Sequence, residues 1–168
     1  MGIAFISLLN NGDDPEIFPS RVRLQISNKL IEVKDKREIW KIAGNGWKTQ
    51  MEEHVRSLLE NFHSPRTAKV DTLFESTIGY KNISKQWTWG EETCESVADK
   101  LNRIISIRGK IAHEIYSQEN LSIEINYLYM KFIYRVAGIT NDVLRNFIFE
   151  KTGKYIFEVS GWEKEEFD

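Results

Sequence analysis

The chain has 168 residues, of which 23 are basic and 25 acidic, for a formal charge of −2. Its apolar fraction of 41% suits one domain with a core of its own and argues against disorder along the whole length. The near-neutral balance excludes a global attraction to polyanions, so nucleic acid would have to be held by a local basic patch.

Residues 1–18 read as an N-terminal apolar stub followed by a turn through Asn10, Gly12, Asp13 and Pro15. The stub lacks the basic leader and small-residue cleavage site of a signal peptide, and Ile6 stands where a myristoylation pattern needs Ser or Thr. No run reaches the roughly 18 apolar residues of a spanning helix. A cytoplasmic protein with no membrane partner is the expectation.

Residues 19–153 read as a helical domain. Val22, Ile26, Leu30, Val33 and Trp40 recur mostly at three- and four-residue steps, which favours a helix, although Val22, Leu24 and Ile26 also alternate as in a hairpin. Gly44 and Gly46 break that segment, and residues 47–62 form the next helix. Ser64 and Pro65 then read as the N-cap and first position of a helix that stops near Gly79. Trp87 and Trp89 lie in a connector and are expected to pack it against the bundle.

Two long helices follow. In residues 91–117, Val97, Leu101, Ile104, Arg108, Ile111 and Ile115 alternate steps of four and three. In residues 122–151, Ile123, Tyr127, Met130, Tyr134 and Ala137 do the same, with Leu144 and Ile148 continuing the face. A short linker makes the pair antiparallel. Residues 154–168 form an acidic C-terminal tail. The expected fold is all-α, a helical bundle of about five helices.

The single cysteine, Cys94, excludes an internal disulfide, and His54, His63 and His113 show no zinc-gripping pair, so neither metal nor cofactor is expected. Glycine-rich phosphate loops and nucleophile elbows are missing. One constellation remains, Arg108-Gly109-Lys110-Ile111-Ala112-His113-Glu114. At about 100° per residue, Arg108 lies in the apolar stripe, where an unpaired buried charge is costly. It must find a carboxylate, reach solvent, or stand in a cleft. His113 lies about 140° away, on a second stripe with Asn102, Ser106, Gly109 and Tyr116. The small residues of that stripe suit close approach of another helix, as at a dimer interface.

The ordered run of Gly46-Trp47, the Asn61-to-Pro65 approach to a helix, Ile78-Gly79, Trp87, Arg108-Gly109-x-Ile111-Ala112-His113 and Thr140-Asn141-Asp142 resembles the HEPN family, and within it the RiboL-PSP-HEPN group. The resemblance covers residues 19–153. It implies an all-helical, commonly homodimeric domain. It also implies a metal-independent endoribonuclease with an Arg-x4-6-His motif, serving in toxin–antitoxin or anti-phage defence. On that resemblance Arg108 and His113 are the catalytic pair. Two departures are visible: Gly109 replaces the polar residue that follows the arginine in many catalytic members, and the segment before Pro19 is short.

These residue types suit RNA cleavage without metal. A histidine can move the 2′-hydroxyl proton, and an arginine fork can stabilise the phosphate. Two copies of Arg108 and His113 in one two-fold cleft would divide the proton transfers. Arg103, Lys110, Glu114 and Tyr116 are candidate substrate contacts, and Asn102, Ser106 and Gly109 candidate dimer contacts. The expected partners are RNA, a second copy and, for a toxin, an antitoxin or regulatory protein. The alternative is a non-catalytic module of the same family that binds RNA or a protein. A further alternative is a helical scaffold whose Arg108 pairs with a carboxylate of its own subunit.

Overall fold

The computed structural model describes residues 2–32, 34–113 and 122–155; the side chains of residues 2, 3, 30, 112 and 113 lie outside that description. Six α-helices run in order: α1 Gly2–Asn11, α2 Ser20–Glu32, α3 Gly46–Glu60, α4 Thr67–Ile78, α5 Cys94–His113 and α6 Ile123–Thr152. Short 3-10 turns at Pro15–Ile17, Lys36–Ile42 and Ile83–Gln86 join them. Among the described residues the β-structure is one isolated bridge between Trp89 and Glu92, so the all-helical class is the one observed. None of these helices is long and apolar enough to cross a membrane.

The apolar stretch at the N-terminus is helix α1, additional to the five helical stretches expected. Ala4, Phe5, Leu8 and Leu9 are buried in the common core, and α1 packs along α6. Phe5 meets Phe18 at a ring-centroid distance of 5.3 Å, and Phe18 meets Trp47 of α3 edge-on at 6.2 Å. These aromatic contacts tie the first helix to the third.

Helix α2 buries Val22 and Ile26 and ends at Glu32, short of the Trp40 that the periodicity includes. Helix α4 begins at Thr67, two residues later than Ser64 and Pro65 suggest, with Arg66 at the N-cap position. A tertiary partner replaces the local cap. The Thr67 N–H donates to Asn102 Oδ1 of α5 at 3.0 Å, and Thr67 Oγ1 donates to the Ala98 carbonyl at 3.3 Å. Gly79 ends α4 at φ +83°, a left-handed conformation that costs glycine little, and its N–H donates to the Phe74 carbonyl.

The connector after α4 sits between α4, α5 and α6. The Asp71 carboxylate of α4 accepts from the Ser84 N–H at 2.9 Å and from Ser84 Oγ at 2.7 Å. Trp87 is buried, and its Nε1–H donates to Thr140 Oγ1 of α6 at 2.9 Å. Trp89 packs on Phe132 at 5.8 Å. Both tryptophans thus fasten the connector to the bundle, as the sequence suggests. Helix α6 runs on as one helix past Gly138 and Thr140, from the Ser122 cap to a left-handed Gly153.

Candidate functional site

Helix α5 opens on a reciprocal cap. The Ser96 N–H donates to Thr93 Oγ1 at 3.3 Å, and the Thr93 N–H donates to Ser96 Oγ at 3.1 Å. The helix then runs to His113 and carries its apolar stripe out of the core. Val97 and Leu101 are buried, Ile104 is half-buried, and Arg108 and Ile111 are exposed. The stripe of α6 behaves alike. Leu144 and Ile148 are buried, whereas Met130, Tyr134 and Ile123 are exposed, Tyr134 at 69%. In this first half of α6 the core takes Phe132 and Val136 instead.

Where both stripes leave the core they face an open groove of about 710 Å³. Its α5 wall is Ile104, Ile107, Arg108 and Ile111; its α6 wall includes Tyr129, Met130, Ile133 and Tyr134. Arg108 is the charged residue of a largely apolar lining to which Asn126 of α6 adds an amide. Among the described residues it has neither a salt-bridge partner nor a hydrogen-bond acceptor for its guanidinium.

The polar stripe on the other side of α5 faces the start of α4. Asn102 caps Thr67, and Ser106 Oγ accepts from Arg66 Nη2 at 3.2 Å while donating to the Asn102 carbonyl at 2.9 Å. Asn102 Oδ1 and Ser106 Oγ are therefore engaged within the chain. Gly109 is half-buried, and a Cβ there would meet open space, so packing inside the chain does not demand glycine. Arg103 and Lys110 are exposed on α5. Lys100 lies over the Phe132 ring at 4.9 Å and near Glu92 at 3.7 Å. His113 is the last residue of α5, with its side chain outside the description, and Glu114 and Tyr116 lie outside the described residues.

Two contributors escape a reading of the sequence. Arg66, forty positions from Ser106, adds a cation beside the polar stripe through the tertiary fold. The α6 wall of the groove escapes because its periodicity is that of an ordinary core-facing stripe. Among the described residues no cluster of His, Cys, Asp and Glu could hold a metal ion.

Fold and groove together define an all-helical domain with an arginine-bearing apolar groove between its two longest helices. Comparison with protein families, curated proteins and solved structures finds no match to this chain.

Proposed function

We propose that this chain is a metal-independent endoribonuclease of HEPN type, acting as a toxin or anti-phage effector, with a site completed by a second copy. The supporting observation is the exposed Arg108 in an open apolar groove, without an acidic partner among the described residues. Arg108 reaches solvent instead of pairing with an acid of its own subunit, which leaves its guanidinium accessible to an anion. An exposed apolar lining with one free cation suits contact with another protein surface around an anionic substrate.

Helix geometry separates Arg108 and His113 by about 140° and by about 7.5 Å along α5. In the proposed dimer, apolar groove walls meet across a two-fold axis and bring each arginine toward its mate's histidine. His113 removes the proton of the RNA 2′-hydroxyl or protonates the leaving 5′-oxygen, and the mate's histidine does the other. Arg108 holds the phosphate oxygens as charge develops on them. Arg103 and Lys110 guide the backbone from outside the cleft, with Glu114 and Tyr116 as further proposed substrate contacts. A regulatory protein or antitoxin would act by covering the groove.

The second reading is a non-catalytic module that binds RNA or a protein. Gly109 favours it: many catalytic members of the family carry a polar residue there, and the open space beside Gly109 shows that packing does not exclude one.

The test is cleavage of a mixed-sequence RNA, in chelator, by wild type and His113→Ala. The ribonuclease reading predicts 2′,3′-cyclic phosphate and 5′-hydroxyl ends that disappear in the variant. RNA binding by folded wild type with no cleavage selects the second reading.

A further inference from the structure

Away from the groove, the 3-10 turn Lys36–Ile42 displays Trp40, whose side chain is 72% exposed. The turn is well fixed. Asp35 Oδ1 accepts from the Arg37 N–H at 3.0 Å, and the Ala43 N–H donates to the Trp40 carbonyl at 3.1 Å. Lys36 Nζ donates to the Ile31 carbonyl at the end of α2, at 2.7 Å. Gly46 approaches so closely that a Cβ there would lie 1.7 Å from the Lys41 carbonyl oxygen. A large ring held in the open by a braced turn contrasts with Trp47, Trp87 and Trp89, which all pack against the core.

The surrounding charge is strongly biased. Residues 20–48 contain eight basic residues and three acidic ones, and although Glu16 pairs with Arg23 and Glu53 acts on Lys41 from outside that stretch, a positive excess remains. Arg37 is held by Asp35 at 2.7 Å and Lys41 by Glu38, which sets both cations beside the turn. Lys29 and Lys34 are exposed nearby in sequence, and Lys48 lies over the Trp47 ring.

We propose that Trp40 and the cations of this segment form a stacking platform for single-stranded RNA, an inference that rests on the proposed function in taking the strand to be RNA. An unpaired base stacks on an exposed indole while neighbouring lysines and arginines meet the phosphates. A lipid surface fits less well. Leu24 and Ile31 of α2 are exposed beside Ile39 and Trp40, but Ile39 and Trp40 point about 120° apart around a 3-10 turn, so a flat apolar face is not formed by the turn itself and the vesicle arm of the test separates the two occupants. The platform belongs to the α2–α3 side of the fold, where the turn packs, and so adds a contact that the groove does not supply.

The test uses the full chain and a short fluorescein-labelled 2′-O-methyl oligouridine, which cannot be cleaved, read by anisotropy. Trp40→Ala is expected to weaken binding about tenfold and Trp40→Phe by less than about threefold, because the phenyl ring still stacks. Lys34→Glu is expected to weaken binding and flatten its salt dependence. Thermal melts should stay unchanged, since both side chains are exposed. Wild-type affinity in Trp40→Ala overturns the platform, as does failure of wild type to bind the strand. Trp40-dependent binding to phosphatidylserine vesicles, with oligonucleotide binding unaffected, also overturns it and assigns the surface to lipid. Trp40-dependent binding without cleavage of natural RNA keeps the platform and removes the ribonuclease reading. Cleavage of natural RNA with oligouridine binding unaffected in Trp40→Ala does the reverse.

Discussion

Arg108 occupies a position where helical periodicity demands an apolar residue, yet its side chain is exposed. Replacing it by Ala removes no contact of the core, so the change in stability should stay within about 0.5 kcal/mol. In the proposed site the same substitution removes a donor to the reacting phosphate and should lower cleavage about 100-fold or more. Equilibrium unfolding and cleavage rates measured on one preparation separate the two effects. His54 poses the opposite case. It is buried on α3, and its Nε2 has no hydrogen-bond partner among the described residues. Burial holds its pKa below the usual 6.5, and the charge of Lys29 adds to the effect. The unfolded chain then binds a proton near pH 6.5 and the folded chain only at lower pH. The contribution of His54 is complete above that pH and is lost as the pH falls through the folded pKa. Denaturant midpoints should therefore fall below about pH 6.5 in wild type and fall less steeply in His54→Leu.

At the scale of elements, the apolar stripes of α5 and α6 were legible in the sequence, but their destination was not. Periodicity reports that a face is apolar; it does not report what covers it. Val97, Leu101, Leu144 and Ile148 meet the core, whereas Ile104, Arg108, Ile111, Met130, Tyr134 and Ala137 line the groove. The start of α4 was misplaced for a related reason. Ser64 and Pro65 carry a good local start signal, yet the acceptor for Thr67 comes from Asn102, a contact between residues thirty-five apart. Asn102→Ala should leave that N–H without its partner and cost about 1 kcal/mol, seen as a melting temperature lower by about 3 °C. An unchanged melt would show that water replaces the amide. Trp87 was easier to read, because burying its large ring fastens the connector, and its N–H here finds the Thr140 hydroxyl.

For the whole molecule, the all-helical class follows from composition and periodicity, whereas the part played by α1 does not. Residues 1–9 are apolar on most sides, so they carry no clear stripe to show which neighbour they cover. Only the fold shows that Phe5 and Leu8 complete the core against α6. The candidate site was partly legible: Arg108 announces itself by breaking a pattern, while Arg66 and the α6 wall depend on tertiary placement. The central proposal is that the groove works only when a second copy closes it. Its most direct test is the rate of RNA cleavage per molecule as protein concentration is raised, for wild type and for Tyr134→Glu. Tyr134 is exposed on the groove wall, so the variant should fold normally. The account predicts a wild-type rate per molecule that climbs with concentration to a plateau, in step with dimerisation seen by sedimentation. It predicts that Tyr134→Glu stays monomeric and inactive across the same range, because a charge would be buried at the contact. A rate per molecule independent of concentration, equal in wild type and variant, would contradict it.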